Sequence, residues 1–141
     1  MANFTGTADS EAIQGTPEVD TITGFGGDDT LVGGDGSDTI FGNQGNDAIA
    51  GQLGDDLLRG GAGSDLVGGD DGNDFVYGDR GGDTLSGGTG DDTLVGGTGD
   101  LNNNAGDGAD IIVGDAGNDL IFGNIGSDSI DGGTGNDSIF G

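Results

Sequence analysis

A period of nine residues runs through this chain, and it narrows the possible folds more than any other feature. Gly33-Gly34-Asp35-Gly36-Ser37-Asp38-Thr39-Ile40-Phe41 is followed in phase by Gly42-Asn43-Gln44-Gly45-Asn46-Asp47-Ala48-Ile49-Ala50 and preceded in phase by Gly24-Phe25-Gly26-Gly27-Asp28-Asp29-Thr30-Leu31-Val32. With Gly6 as position 1, fifteen repeats begin at every ninth residue from 6 to 132 without a slip. Position 1 is glycine in all but one repeat, where Ala105 stands, and position 4 is glycine from Gly27 to Gly135. Position 6 is acidic and position 8 apolar in every repeat but the one beginning at Gly96. Self-similarity at a short fixed period indicates a solenoid, in which each unit stacks on its neighbours.

Composition then excludes several classes. Glycine supplies 37 of 141 residues and proline one, so the every-third-residue glycine and high proline of collagen are absent. A net charge of −25 with 30% apolar residues is the composition of an unfolded chain, and only the constant phase argues against a disordered linker. There is no cysteine and no histidine, which excludes disulfides, thiolate zinc sites and imidazole chemistry. Arg59 and Arg80 are the only cationic side chains, so nucleic acid is not a partner. No apolar run reaches the roughly 20 residues of a membrane span, and Met1-Ala2-Asn3-Phe4-Thr5 lacks the pattern of a signal peptide.

Each column of the repeat has a physical meaning. Positions 1 to 6 hold Gly, Asp, Asn and Ser, which accept tight turns and positive φ. Positions 7 to 9 often hold Thr, Val, Leu, Ile or Phe, which favour short strands. In a three-residue strand, positions 7 and 9 face one way and position 8 the other, so position 8 faces inward. A turn and a strand per repeat predict an all-β protein: a β-solenoid of 18-residue coils, two nonapeptides per coil, with parallel sheets and about seven and a half coils in one domain over residues 1–141. The repeats at 6–23 and 96–104 are degenerate.

One inward side chain per repeat is too little to offset the ordering of nine residues, and stacked carboxylates repel. A cation must complete the fold. Alternating turns place Glu11, Asp29, Asp47, Asp65, Asp83, Asp119 and Asp137 on one side, and Asp20, Asp38, Asp56, Asp74, Asp92, Asp110 and Asp128 on the other. Carboxylates between glycine-rich turns with free carbonyls form an all-oxygen cage, which suits calcium better than magnesium. Counting neighbours on each side predicts about eleven ions. The repeat from Gly96 has Leu101 at the acidic position and Asn103 at the core position. Its length is unchanged, so the alternation of sides is expected to survive, with a turn bulge and a calcium site lost between Asp83 and Asp119. Asp100 is a weaker candidate for a substitute ligand.

Gly87-Gly88-Thr89-Gly90-Asp91-Asp92-Thr93-Leu94-Val95 and Gly132-Gly133-Thr134-Gly135-Asn136-Asp137-Ser138-Ile139-Phe140 resemble the G-G-x-G-x-D-x-U-x nonapeptides of the repeats-in-toxin (RTX) family. The resemblance covers nearly the whole chain. It implies a right-handed parallel β-roll with calcium in the turns, and a secreted or cell-surface protein exported without an N-terminal signal peptide into calcium-rich surroundings. No flanking catalytic domain and no C-terminal export signal accompany the repeats, which departs from the usual family pattern.

Counting the frame backward puts Phe4 at position 8, while Gly141 opens a further repeat. The start thus supplies a strand that the end lacks, and copies of about eight coils are expected to stack head to tail almost in phase, as a filament or matrix layer. The alternative is a tract from a larger secreted protein. One sheet is expected to carry Phe41, Leu57, Phe75, Tyr77, Val95, Ile111 and Val113 outward, and the other Leu120, Phe122 and Phe140. Such a face suits lateral packing of rods or an adhesion module. Ice binding would need unbroken outward threonine ranks, and Leu57, Phe75 and Ile111 interrupt the rank of Thr21, Thr39 and Thr93. All paired carboxylates lie in the repeat frame, with no nucleophile or tuned acid outside it, so no enzyme is expected.

Overall fold

The computed structural model describes residues 1–98 and 106–141. Its fifteen strands are β1 (Asn3–Thr5), β2 (Ala12–Gln14), β3 (Thr21–Gly26), β4 (Thr30–Asp35), β5 (Thr39–Gln44), β6 (Ala48–Leu53), β7 (Leu57–Ala62), β8 (Leu66–Asp71), β9 (Phe75–Arg80), β10 (Thr84–Thr89), β11 (Thr93–Gly97), β12 (Ile111–Ala116), β13 (Leu120–Phe122), β14 (Ser129–Asp131) and β15 (Ser138–Phe140). Odd-numbered strands form an eight-stranded sheet in the order of the chain, and even-numbered strands a seven-stranded one. Every pairing between strands is parallel, and Thr39 lies opposite Leu57, 18 residues on. This is the predicted β-solenoid, a β-roll of two nonapeptides per coil.

The core is a single file. Ile22, Leu31, Ile40, Ile49, Leu58, Val67, Val76, Leu85, Leu94, Ile112 and Ile121, all at position 8, are buried between the sheets. Phe4, Ile13 and Ile130 pack against its ends. The strands extend further than the predicted three residues. Most run through positions 7 to 9 and on to position 3 of the next repeat. Within them position 2 takes a positive φ even in Phe25, Asn43, Gln52 and Asp79, which turns the strand at that residue. Position 1 is therefore a second inward position, and Gly33, Gly42 and Gly51 are buried there.

The largest departure from expectation lies at the Gly96 repeat. Thr84 pairs with Ile111 and Thr93 with Leu120, each 27 residues on instead of 18. One nonapeptide is spliced out of the coil path, and the alternation of sides does not survive it. The physical reason lies in two residues. Keeping the repeat in the path would place Asn103 in the apolar file and Leu101 in the carboxylate column. Skipping it brings Ile112 against the file and Asp110 into the column. Asp100, Leu101 and Asn103 themselves lie outside the described residues.

The splice also redistributes the outer faces. Ile111 and Val113 sit on the seven-stranded sheet, whereas Leu120, Phe122 and Phe140 join the eight-stranded one. That sheet then presents one outward rank of Phe41, Arg59, Tyr77, Val95, Phe122 and Phe140. Phe122 and Phe140 stack with ring centroids 5.1 Å apart. Beside this rank, Leu57 and Phe75 are exposed.

Engineered cysteine pairs test the splice in a chain that has no cysteine of its own. Neighbouring strands bring outward Cα atoms within disulfide reach. Thr93→Cys with Leu120→Cys is expected to cross-link on oxidation, and Thr93→Cys with Ile111→Cys to stay reduced. The reverse pattern, read by non-reducing mass analysis, would restore the unspliced path.

Candidate metal centre

The acidic column lies where each turn enters a strand. Asp20, Asp29, Asp38, Asp47, Asp56, Asp65, Asp74, Asp83, Asp92, Asp110 and Asp119 are each at most 3% exposed. One carboxylate oxygen of each reaches the preceding coil. The Asp20 N–H donates to Oδ1 of Asp38 at 2.7 Å, and the Asp38 N–H to Oδ1 of Asp56 at 2.7 Å. The ladder crosses the splice unbroken, because the Asp83 N–H donates to Asp110 and the Asp92 N–H to Asp119, each at 2.9 Å. The two columns are therefore Glu11, Asp29, Asp47, Asp65, Asp83, Asp110, Asp128 and Asp20, Asp38, Asp56, Asp74, Asp92, Asp119, Asp137. The expected gap between Asp83 and Asp119 does not occur.

The second oxygen is left without a partner. Oδ2 of ten column residues, Asp29 through Asp92 together with Asp110 and Asp119, is buried and accepts no hydrogen bond. It occupies the space beside a position 1 glycine. A Cβ on Gly42 would come 2.2 Å from Oδ2 of Asp47 and 2.6 Å from the Gly60 carbonyl oxygen. Position 1 is thus glycine for close approach of two oxygens, not for a left-handed backbone. Positive φ falls instead at position 2 and at position 4, as at Gly45 with φ 127°.

Burial dominates the electrostatics. It pushes the carboxyls of Asp56, Asp83 and Asp92 up to about 7, and those of Asp65, Asp74 and Asp110 to about 6. The amide of the preceding coil opposes the shift, and like charges above and below add to it. A buried, anionic oxygen with no donor is stable only if a proton or a cation joins it. Among the described residues no three acidic side chains converge to hold an ion by themselves, so backbone carbonyls would have to complete any cage.

The two ends of the columns differ from the middle. Glu11 and Asp20 are satisfied by the threonines at position 2: Thr16 donates its N–H and its hydroxyl to Oδ2 of Asp20, both at 2.7 Å, and Thr7 donates its N–H to Oε2 and its hydroxyl to Oε1 of Glu11. The Thr7 and Thr16 hydroxyls hold those two carboxyls below the usual range. Of the fourteen predicted ligands these two least need a metal. Asp128 and Asp137 receive the amides of Asp110 and Asp119 but are only partly buried.

Sequence reasoning missed other contributors. Position 5 forms a second ladder on one edge, in which Asp55, Asn73, Asp91 and Asn118 each accept the position 5 N–H of the next coil. The alternation of Asp and Asn in that column was its visible signal. Asp79, at position 2, is 7% exposed and accepts hydrogen bonds from Nε and Nη2 of Arg59 on the outer face of the eight-stranded sheet.

The family model described as the RTX calcium-binding nonapeptide repeat matches residues 5–40, 32–67, 41–76, 68–100 and 104–139. Its matches omit 101–103, within the repeat that the fold splices out. No curated protein matches the chain significantly.

Because the folded carboxyls sit above their unfolded value near 3.9, the folded chain without metal binds extra protons. Its stability is then greatest below about pH 4 and falls as pH rises through the 6 to 7 range. In chelator, circular dichroism is expected to show strand structure at acidic pH that disappears towards pH 7. Strand content that instead increases with pH under chelation would contradict the burial of unpartnered carboxyls.

Gly42→Ala is expected to displace Asp47 and to lower thermal stability by at least several degrees in calcium. An unchanged melting temperature would show that the cradle is not tight.

Proposed function

The chain belongs to the family of RTX calcium-binding nonapeptide repeat proteins, and from that premise we propose that it is a non-enzymatic, extracellular structural protein that folds when calcium fills its turns. The observation that carries this reading is the file of ten buried, unpartnered Oδ2 atoms. Calcium takes six to eight oxygen ligands in flexible geometry, which two carboxylates and several turn carbonyls can supply. The residues that would hold it are Asp29, Asp38, Asp47, Asp56, Asp65, Asp74, Asp83, Asp92, Asp110 and Asp119, with Asp128 and Asp137 completing the last coil. Six carboxylate contacts on each side, those of Glu11 and Asp20 included, set a ceiling of about twelve ions, one more than the sequence count, because the splice rejoins the columns; the residues just named make ten of these contacts.

Calcium acts here as a folding ligand. Ionised carboxylates in contact repel each other, so the chain is disordered at submicromolar calcium and folds at the roughly 10⁻⁴–10⁻³ M range of extracellular modules. A protein exported unfolded would then acquire its structure outside the cell. Head-to-tail association of copies is a further part of the proposal, supported by the open edges that β1 and β15 give the eight-stranded sheet.

A second reading, an adhesion or spacer module, is favoured by the aromatic rank on the eight-stranded sheet and by the groove lined by Phe41, Arg59, Tyr77 and Asp79. The experiment that tests the leading reading is a calcium titration followed by circular dichroism and by electron microscopy. A cooperative gain of strand signal, reversed by chelator, is expected, and Asp56→Ala is expected to raise the calcium midpoint severalfold by weakening two adjacent sites. A chain equally folded in chelator at neutral pH would overturn calcium-driven folding. Single short rods in millimolar calcium would remove assembly and favour the spacer reading.

A further inference from the structure

The splice joins two fragments of different repeats into one turn. Oδ2 of Asp110 lies against Gly96, where a Cβ would come within 2.4 Å. Elsewhere the glycine five residues earlier plays this part, as Gly42 does for Asp47. Gly96 and Gly97 thus serve as positions 1 and 2 of a composite turn whose later positions are Asp107, Gly108, Ala109 and Asp110. The Gly108 N–H donates back to the Gly81 carbonyl at 2.9 Å, whereas position 4 glycines such as Gly45 and Gly63 donate to the position 3 carbonyl of the following coil.

Asp107 has no counterpart in the other turns. Position 3 residues such as Asp35 and Asp71 are exposed on the sheet face. The Asp107 carboxylate instead folds onto Gly97, and a Cβ there would come 2.0 Å from Oδ2 and 2.5 Å from Oδ1. Both of its oxygens are buried and neither makes a well-aligned hydrogen bond, although the Gly108 and Ile125 amides lie close enough to favour the ionised form, whereas every ladder aspartate keeps one oxygen firmly on an amide. Asp110, 1% exposed, adds its own unpartnered Oδ2 to the same turn. The composite turn therefore holds three buried carboxylate oxygens that no well-aligned hydrogen bond satisfies. The Asp79 and Asp128 carboxylates lie close enough to repel Asp107 further.

We propose that Asp107 holds a divalent cation of its own at the splice, outside the nonapeptide ladder and additional to the ladder's ions. Hard, all-oxygen ligation with water filling the remaining positions specifies calcium. The proposal rests on the calcium reading of the ladder. It gives the splice a function: the cation fastens residues 106–141 to the preceding coils where the nine-residue phase is broken.

Native mass spectrometry of the whole chain at saturating calcium counts the ions directly. Asp107→Asn is expected to carry one calcium ion fewer than wild type, and Asp71→Asn, a position 3 control, the same number as wild type. Equal counts for Asp107→Asn and wild type overturn this inference and leave the ladder intact. A wild type that binds no calcium overturns the ladder reading and this one with it. If Asp107→Asn does not fold, the carboxyl ¹³C shift of Asp107 in wild type decides. An ionised carboxylate that responds to calcium supports the site, and a protonated or unresponsive one overturns it.

Discussion

Each coil is tied to the next by a carboxylate that has only half of what it needs. Its Oδ1 takes the backbone N–H of the position 6 residue one coil earlier, and its Oδ2 is enclosed beside glycine with nothing to accept. The first bond sets the rise between coils. The second oxygen makes the whole stack conditional on a cation or a proton. A file of single inward side chains cannot hold the two sheets together alone, so the aspartate columns are structural parts of the roll and not sites placed on a finished scaffold.

The same constraint explains the splice. A repeat without a carboxylate at position 6 and an apolar residue at position 8 would open both the ionic column and the core file. Pairing across 27 residues instead of 18 keeps both continuous. The consequence reaches beyond the turn. The exchange of strand positions gathers Phe41, Tyr77, Val95, Phe122 and Phe140 in one rank and puts Ile111 and Val113 on the opposite sheet. A defect in one repeat thereby sets the character of both outer faces.

Charge connects structure and environment. A chain at −25 with two arginines is soluble and extended when its carboxylates are ionised and unligated. Arg59 is taken up by Asp79, so it does not relieve the columns. The threonine hydroxyls at Thr7 and Thr16 replace a cation only in the first coil. The roll is therefore stabilised from its interior by ions and closed at one end by hydroxyls.

Much of this was legible from the period alone. Fifteen units in phase specify a solenoid, an apolar column specifies the core, and an acidic column specifies the file of buried carboxylates, because a short repeat must place equivalent residues in equivalent surroundings. Period cannot say what happens where the pattern fails. Leu101 and Asn103 marked the fault, but a bulge and an omission read alike in one dimension. Only the competition between burying Asn103 and closing the coil with Ile112 settled it. Asp107 was illegible for the same reason: its place against Gly97 exists only once two distant fragments are joined. The sequence by itself determined the coil, the core file and the two acidic columns. The tertiary structure decided which carboxylates face each other across the splice and which sheet carries the aromatic rank, because those depend on three-dimensional pairing that local spacing does not encode.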